Sequence, residues 1–294
     1  MRNRKMNLSG VKDFSVMMKT AIAIMLLISI NFKGKSQLAA HSYSIDKYKV
    51  LDSAYINCTY KLNYIIDTLN KSQISTDIQT LQIGKDISKY YSQYLLDYSV
   101  KVKKLIDQGA QNVPSLKNYG ACSYEVFKYY PKEKYTVTDF GTRQIRANVH
   151  EELIPVIPWV IGNEFDTVLS YRCQKAVAIF RGRTYEAWFT TEIPIGNGPW
   201  KLGGLPGLIM KVSDSQHYFN FECIGLEILK IKEPIKFYLL KYTQIQPKDL
   251  NNLYSRYYSD PVGFAKSMGG LEVFMVNGKE ATDVKLPYNP IEIK

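Results

Sequence analysis

An alternation of apolar and polar positions runs through most of this chain, and a period of two residues is typical of strands that bury one face. The segments that carry it are rich in β-branched and aromatic side chains: residues 54–67, 76–83, 124–130, 134–140, 143–153, 156–161, 168–181, 184–191, 208–212, 217–226 and 235–243. Turn-forming residues separate many of these segments. We therefore expect successive strands to pair as antiparallel hairpins.

The period changes to three and four residues between positions 87 and 106, which predicts one long amphipathic helix that ends before Gly109. Its apolar positions are Ile87, Tyr90, Tyr91, Tyr94, Leu95, Tyr98, Val102, Leu105 and Ile106. We expect this face to pack on the sheet. A short helix is predicted at residues 247–258, and the tail from about residue 260 has a less regular pattern.

Two turns are predicted in the region richest in Gly, Pro and aromatic residues, 171–212. Gly182-Arg183 has Gly first, which suits a two-residue type II′ hairpin turn. The sequence from Leu205 to Leu208 contains Pro206-Gly207, which is typical of a type II turn with Gly207 at positive φ.

These elements together predict a mainly β fold (β-rich α+β): a curved antiparallel sheet or open half-barrel of hairpins with one long amphipathic helix packed on it. No repeat or low-complexity linker divides residues 37–294. We interpret them as a single domain.

Residues 1–36 are predicted to be a secretory signal peptide. Residues 20–30 form an eleven-residue apolar run behind Lys19, and such a run is too short for a mature membrane-spanning helix. Met18 would serve as a start by itself, so we interpret residues 1–17 as an upstream extension of the start site. A short membrane anchor is the alternative interpretation of the run.

The motifs of the 171–212 region resemble those of a known family. Residues 204–209 spell Gly204-Leu205-Pro206-Gly207-Leu208-Ile209, and the preceding residues contain Tyr-x-Cys-x-Lys-Ala, Phe-x-Gly-Arg-x-Tyr-x-Ala-Trp-Phe-Thr and Glu-Ile-Pro in order. This set resembles the GLPGLI family, a Porphyromonas-type domain of small exported proteins in Bacteroidota. The resemblance is dense from about residue 159 to 226. It implies export to the periplasm or beyond and a β-rich fold, and it implies no established activity, so no catalytic residue is assigned.

Charge and motif searches exclude several classes of function. The formal charge of the whole chain is +11, but residues 1–36 hold seven Lys or Arg and one Asp, which leaves +5 after processing. The remaining charges are interspersed, so we expect no nucleic-acid binding. His41, His150 and His217 lack the spacing of zinc ligands, and no cofactor motif occurs, so we expect no metal or cofactor. Glu186 and Glu192 could form an acid–base pair, but in a strand-rich chain they are expected to face solvent.

The mature chain contains four cysteines, an even number that favours two disulfides in an oxidising compartment. Four cysteines allow three connectivities. We predict Cys173–Cys223, because both lie in the hairpin region, and therefore Cys58–Cys122.

Two classes of function stay open. The first is a non-catalytic binding or carrier module for an apolar small molecule, lipid, peptide or envelope protein partner. Alternation places Leu208, Met210 and Val212 on one face of a strand and Phe219 and Phe221 on one face of the next, which predicts an apolar binding strip. The strip binds a ligand only if the long helix leaves part of it uncovered. The alternative function is an envelope hydrolase with an unrecognised active site.

The signal-peptide hypothesis predicts that the mature protein begins near Gln37 and is found outside the cytoplasm. N-terminal sequencing of the protein from envelope or periplasmic fractions checks this. Recovery of intact residues 18–36 from those fractions would contradict it.

Overall fold

The computed structural model describes residues 42–113, 120–142, 145–269, 274–276 and 279–293. The predicted signal segment, residues 1–36, lies outside the described residues. Most of the regular structure that the chain forms within the described ranges is β-strand.

Strands and helices follow one another along the described residues in an order close to the predicted one. They are β1 (Tyr48–Ile65), β2 (Ile74–Gly84), β3 (Ser88–Ser92), α1 (Gln93–Asp107), β4 (Tyr124–Lys128), β5 (Lys134–Asp139), β6 (Asn148–Leu153), β7 (Val160–Val168), β8 (Tyr171–Phe180), β9 (Arg183–Thr190), β10 (Leu208–Asp214), β11 (Phe219–Tyr238), β12 (Thr243–Gln244), α2 (Pro247–Ser259), α3 (Pro261–Ser267), β13 (Phe274–Val276) and β14 (Lys279–Ala281). The predicted hairpin of β4 with β5 and the predicted helix at 247–258 are confirmed.

Twelve strands form one sheet in the order β12-β6-β5-β4-β3-β2-β1-β11-β10-β9-β8-β7, and β13 pairs with β14 separately. Neighbours in the large sheet run antiparallel, apart from the short parallel pair of β12 with β6. The long strands β1 and β11, of 18 and 20 residues, pair at its middle. The sheet is open, with β12 and β7 at its edges, so the predicted mainly β fold is confirmed.

Both halves of this sheet contact the loop between β9 and β10, residues 191–207. Lys128 at the end of β4 donates to Leu202 O at 2.7 Å, and Tyr135 of β5 donates to Lys201 O at 2.9 Å. In the sheet, however, β10 lies five strands away from β4. Strands so far apart can contact one loop only if the sheet curls, so the loop fills the inner face of the curl.

The predicted apolar strip lies inside this curl. Leu208, Met210, Val212 and Phe221 are fully buried, and Phe219 is 5% exposed. They belong to one core cluster that contains residues of both halves of the sheet and of the 191–207 loop. The prediction of an open binding strip is therefore wrong for these residues, because the sheet and its own loop cover them.

The helix α1 begins later than predicted and packs elsewhere. Ser92 is its N-cap and accepts a hydrogen bond from Leu95 N–H at 3.1 Å, so the helix starts at Gln93. The residues before it form β3, in which all five side chains are buried. A short buried strand hides both faces, so its apolar positions fit a helical period equally well. The helix buries Leu95 and Val102, and Leu95 packs in a separate cluster with Tyr43, Ala121, Phe140 and Tyr238, away from the strip.

The turn between β8 and β9 differs from the predicted type. Phe180 pairs with Arg183, so the two connecting residues are Arg181 and Gly182. Both have positive φ, 50° and 83°, which is the type I′ conformation rather than type II′. The predicted connecting residues, Gly182 and Arg183, therefore lie one position too far along the chain.

Gly207 is required for a reason other than the predicted one. Its φ is not in the left-handed region, whereas that of Gly204 is +82°. A Cβ atom at Gly207 would lie 2.0 Å from the carbonyl oxygen of Thr190, the last residue of β9. The motif therefore has its left-handed glycine at its first position, and Gly207 allows two backbone segments to approach closely.

All four cysteines are free thiols, so the predicted pairs Cys173–Cys223 and Cys58–Cys122 are absent. Cys173 is on β8 and Cys223 on β11, three strands apart in the sheet order. The Cys173 thiol donates to the carbonyl oxygen two residues earlier at 3.5 Å, and the Cys223 thiol to the one two residues later at 3.3 Å. Burial raises the pKa of both thiols to about 11. Each thiol therefore bonds a backbone carbonyl of its own strand, and no disulfide joins the two cysteines.

The close approach at Gly207 predicts that Gly207→Ala lowers the free energy of unfolding by at least about 2 kcal/mol, because backbone must move to admit the methyl group. Gly204→Ala is the matched control. Nothing lies within 4 Å of its added Cβ, so only the left-handed strain of about 1 kcal/mol applies. Urea denaturation of the three proteins measures this, and a larger loss in Gly204→Ala would contradict the prediction.

Candidate functional site

A cavity of about 270 Å³ lies between β4–β6, the helix α2 and the C-terminal segment 288–292. Polar and aromatic side chains dominate its lining. They include Tyr64, Cys122, Ser123, Tyr124, Asp139, His150, Asn251, Tyr254, Tyr258, Tyr288, Asn289 and Glu292. We refer to this space as the tyrosine cavity.

The helix α2 supplies one wall of the tyrosine cavity. Pro247 occupies its first turn, where a missing N–H leaves no hydrogen bond unmade. Leu250, Tyr254 and Tyr258 then recur every four residues and share one face, together with Asn251. The sequence of the helix therefore aims two phenol rings and one amide into the same space.

The C-terminal segment supplies the opposing ring. Tyr288 stacks on Tyr258 with their centroids 4.7 Å apart and their planes 20° apart. The Tyr288 hydroxyl donates to Asn251 Oδ1 at 2.6 Å. Asn289 donates to Ile65 O at 2.7 Å, which ties the segment to the end of β1. These bonds fix the orientation of the aromatic wall.

Asp139, the last residue of β5, is the buried carboxyl group of the cavity. It accepts hydrogen bonds from Gly141 N–H at 2.6 Å, the Tyr254 hydroxyl at 2.8 Å and the Ser123 hydroxyl at 3.2 Å. All three donors bond Oδ1, and none of them bonds Oδ2. Burial raises the pKa of Asp139, and these three donors oppose the rise.

A second buried carboxyl group, Asp77 of β2, lies behind the cavity wall. Its oxygens accept from Cys122 N–H at 2.9 Å, Ser92 Oγ at 2.9 Å and Gln79 Nε2 at 3.1 Å. Burial raises its pKa to about 6. Since Asp77 is fully buried and does not line the cavity, this network holds the Cys122 backbone in place rather than contacting a ligand.

His150 of β6 is the unusual side chain of the site. It is 5% exposed, and neither ring nitrogen has a hydrogen-bond partner among the described residues. Burial, together with the positive charges of Lys201 and Arg181, lowers its pKa to about 4, while the charge of Glu152 opposes this. The imidazole is therefore neutral at pH 7.

A network of opposite charges closes one side of the cavity. Lys201 Nζ contacts Glu152 Oε1 at 2.5 Å and also pairs with Glu292. Arg181 Nη2 contacts Glu152 Oε2 at 2.5 Å, and its Nε lies 3.8 Å from Glu292 Oε2. These charges balance within the network, so Glu292 enters the lining of the cavity with its charge compensated.

A second, more open cavity of about 620 Å³ also includes His150 in its lining. It is lined by Lys134, His150, Glu151, Gln244, Ile245, Gln246 and Asp249. We refer to it as the edge cavity, because β12 and β6 form this edge of the sheet.

None of the motif or strip residues that the sequence singled out lines either cavity. Leu205, Leu208 and Ile209 are buried in the core, and of the predicted site residues only Cys122 reaches the tyrosine cavity. Glu186 and Glu192 do not line it either. The four-residue spacing of tyrosines in α2 was the one feature of the sequence that indicated this cavity. The rest of the lining comes from residues between positions 64 and 292 that are distant in the chain, and no sequence pattern shows that they meet.

No group of three or more His, Cys, Asp or Glu side chains in the described part of the chain is arranged to hold a metal ion. None of the helices within the described ranges is long and apolar enough to span a membrane. The arrangement instead offers flat aromatic faces beside polar groups of low net charge. Such a lining can hold a ligand by stacking and hydrogen bonding.

Residues 122–253 match the family described as N-glycanase peptide, N-terminal domain. This is somewhat under half of the chain, and the family differs from the GLPGLI proteins that the motifs resemble. No curated protein sequence matches the chain. Two solved structures of PNGF-II, in C2 and P21 crystal forms, are each 13% identical over 69% of this chain, with TM-scores of 0.42 and 0.41. This chain spans about a third of the length of those chains, 32% and 33%.

The lowered pKa of His150 predicts a loss of stability in acid. The unfolded chain binds a proton near pH 6.5 and the folded chain only near pH 4, so stability falls as the pH drops through this window, by up to about 3 kcal/mol. Urea denaturation at pH 7 and pH 4.5 measures the loss. Between these two pH values, His150→Gln should lose less free energy of unfolding than the wild type. His217→Gln, at an exposed position, should lose as much as the wild type. An unchanged acid loss in His150→Gln would contradict this assignment.

Proposed function

We propose that this protein is an exported, non-catalytic binding module that holds a neutral, hydroxyl-rich ligand, such as a sugar residue, in the tyrosine cavity. The observation that carries the proposal is the combination of flat rings and buried polar groups in one small space. Tyr258 and Tyr288 stack there, while Asp139 and Asn251 line the same cavity.

A sugar ring matches this lining chemically. Its C–H face is apolar and packs on an aromatic ring, while its hydroxyl groups both donate and accept hydrogen bonds at the edge. Asp139 Oδ2 receives none of the three donors that bond the other oxygen, which leaves an acceptor suited to a hydroxyl group. The volume of about 270 Å³ is close to the lower limit of ordinary ligand pockets, so it suits one ring rather than an extended chain.

The distribution of charge favours binding over hydrolysis. Glycoside hydrolysis uses two carboxyl groups that flank the bond to be cleaved. Besides Asp139, the cavity contains Glu292, whose carboxylate is paired with Lys201 and lies near Arg181. A carboxylate committed to two cations is a poor base or nucleophile, so we assign no catalytic residue.

The family match supports a glycan as the ligand. The matched segment, residues 122–253, includes Asp139, His150 and Asn251 of the cavity lining and ends before Tyr254 and Tyr258, and the family is named after an N-glycanase. The resemblance to GLPGLI proteins and the apolar N-terminal run support export, and membership of that family is part of this proposal. A lipid-carrier function is not retained, because the apolar strip is buried.

An envelope hydrolase is the second candidate, and one observation favours it. Burial raises the pKa of Asp139, as is expected of a general acid. The experiment below separates the two functions, because a hydrolase consumes the ligand that a binding module only holds.

Calorimetric titration with N-acetylglucosamine, and with a synthetic peptide that carries it on asparagine, tests the proposal. Both should bind the wild type. Tyr258→Leu should bind at least about tenfold more weakly, or about 1.4 kcal/mol, because leucine keeps the bulk but offers no flat ring. Tyr94→Leu, at a position on α1 that is 39% exposed, should bind like the wild type.

Equal binding by the wild type and Tyr258→Leu would place the ligand elsewhere and contradict the proposal. Mass spectrometry of the incubated glycopeptide checks the second candidate. Release of the sugar by the wild type, with loss of that release in Asp139→Asn, would support a hydrolase instead.

A further inference from the structure

His150 separates the two cavities. Within the described residues it is the one side chain that lines both the tyrosine cavity and the edge cavity. It lies on β6, opposite Val137 of β5. The sheet therefore holds His150 in place at a position that adjoins both cavities.

Both ring nitrogens of His150 are buried and lack a hydrogen-bond partner among the described residues. A neutral imidazole carries one donor nitrogen and one acceptor nitrogen. Buried polar groups in native proteins almost always have a partner, because an unmade hydrogen bond destabilises the fold. Two unmatched nitrogens beside two cavities indicate a ligand that supplies partners to the ring.

The edge cavity offers further polar groups for a neutral ligand. Lys134 pairs with Glu151 at 2.9 Å, so their charges cancel. Gln246 is the N-cap of α2, yet its side chain makes no capping hydrogen bond to the helix. Gln244 lies beside it at the open edge of the sheet. Amide side chains both donate and accept, as sugar hydroxyls do.

The chain itself connects the two spaces. Gln244, Gln246 and Asp249 line the edge cavity, while Leu250 and Asn251 line the tyrosine cavity. Residues 244–251 thus pass from one lining to the other within a single stretch. A ligand that occupies both cavities contacts one continuous segment of the protein.

We propose that the edge cavity is a second subsite, which holds a further neutral sugar unit covalently linked to the one in the tyrosine cavity, with His150 hydrogen-bonding between them. This inference rests on the proposed function and extends it from a single ring to an oligosaccharide. The preferred ligand is therefore at least two linked units long.

Comparison of N-acetylglucosamine with its β1,4-linked dimer tests the inference by calorimetry. The wild type should bind the dimer at least tenfold more tightly than the monomer. In Gln244→Ala and Gln246→Ala the ratio of the two affinities should fall towards one, because the second unit loses its partners. Gln216→Ala, at an exposed position between β10 and β11, should keep the wild-type ratio.

Nitrogen chemical shifts of the His150 ring provide a readout that needs no variant. Addition of the dimer should shift both ring nitrogens, with the exposed His217 as an unshifted internal reference. Equal affinities for monomer and dimer, or His150 nitrogens that do not respond to the dimer, would overturn the second subsite and leave the proposed function standing. Binding of neither sugar would overturn both.

Discussion

The buried ammonium group of Lys128 is the interaction on which the rest of the structure depends. Its three protons are matched by Asn197 Oδ1 at 2.8 Å, Gly198 O at 2.7 Å and Leu202 O at 2.7 Å. All three acceptors belong to the loop between β9 and β10, whereas Lys128 belongs to β4. Burial lowers the pKa of Lys128 to about 7, and none of the described carboxylates pairs with its charge. A group so costly to bury is stable only while the loop supplies all three acceptors.

The same loop also determines where the residues of the tyrosine cavity lie. It carries Lys201, which reaches Glu152 on β6 and Glu292 in the C-terminal segment. Arg183 of β9 donates to Asn289 Oδ1 at 2.7 Å and thus fastens the same segment. The segment is in this way brought over α2, where its tyrosine completes the aromatic wall. The contacts of this one loop therefore stabilise both the core and the tyrosine cavity.

The buried polar groups in and behind the tyrosine cavity differ in how many hydrogen bonds the protein gives them. Asp77 and Asp139 each receive three hydrogen bonds from neighbouring donors, so their positions are fixed before any ligand arrives. His150 is equally buried and receives none among the described residues. Fixed polar groups around one imidazole without partners are what the proposed binding function requires, because a ligand would then complete the hydrogen bonding.

Sequence by itself determined the secondary structure class and most of the strands, because side-chain alternation depends only on neighbours along the chain. It located the hairpin of β4 with β5 and the helix α2. It misplaced the start of α1, because a short buried strand such as β3 has no period of its own. It assigned the wrong reason to Gly207, because the carbonyl that requires a glycine there belongs to Thr190, seventeen residues away. Only the tertiary structure decided that the apolar strip is core, that Cys173 and Cys223 lie three strands apart, and that His150 lines the same cavity as the tyrosines of α2. These outcomes depend on the order of the strands and on how far the sheet curls. Both are set by contacts between residues distant in the chain, which no local pattern records.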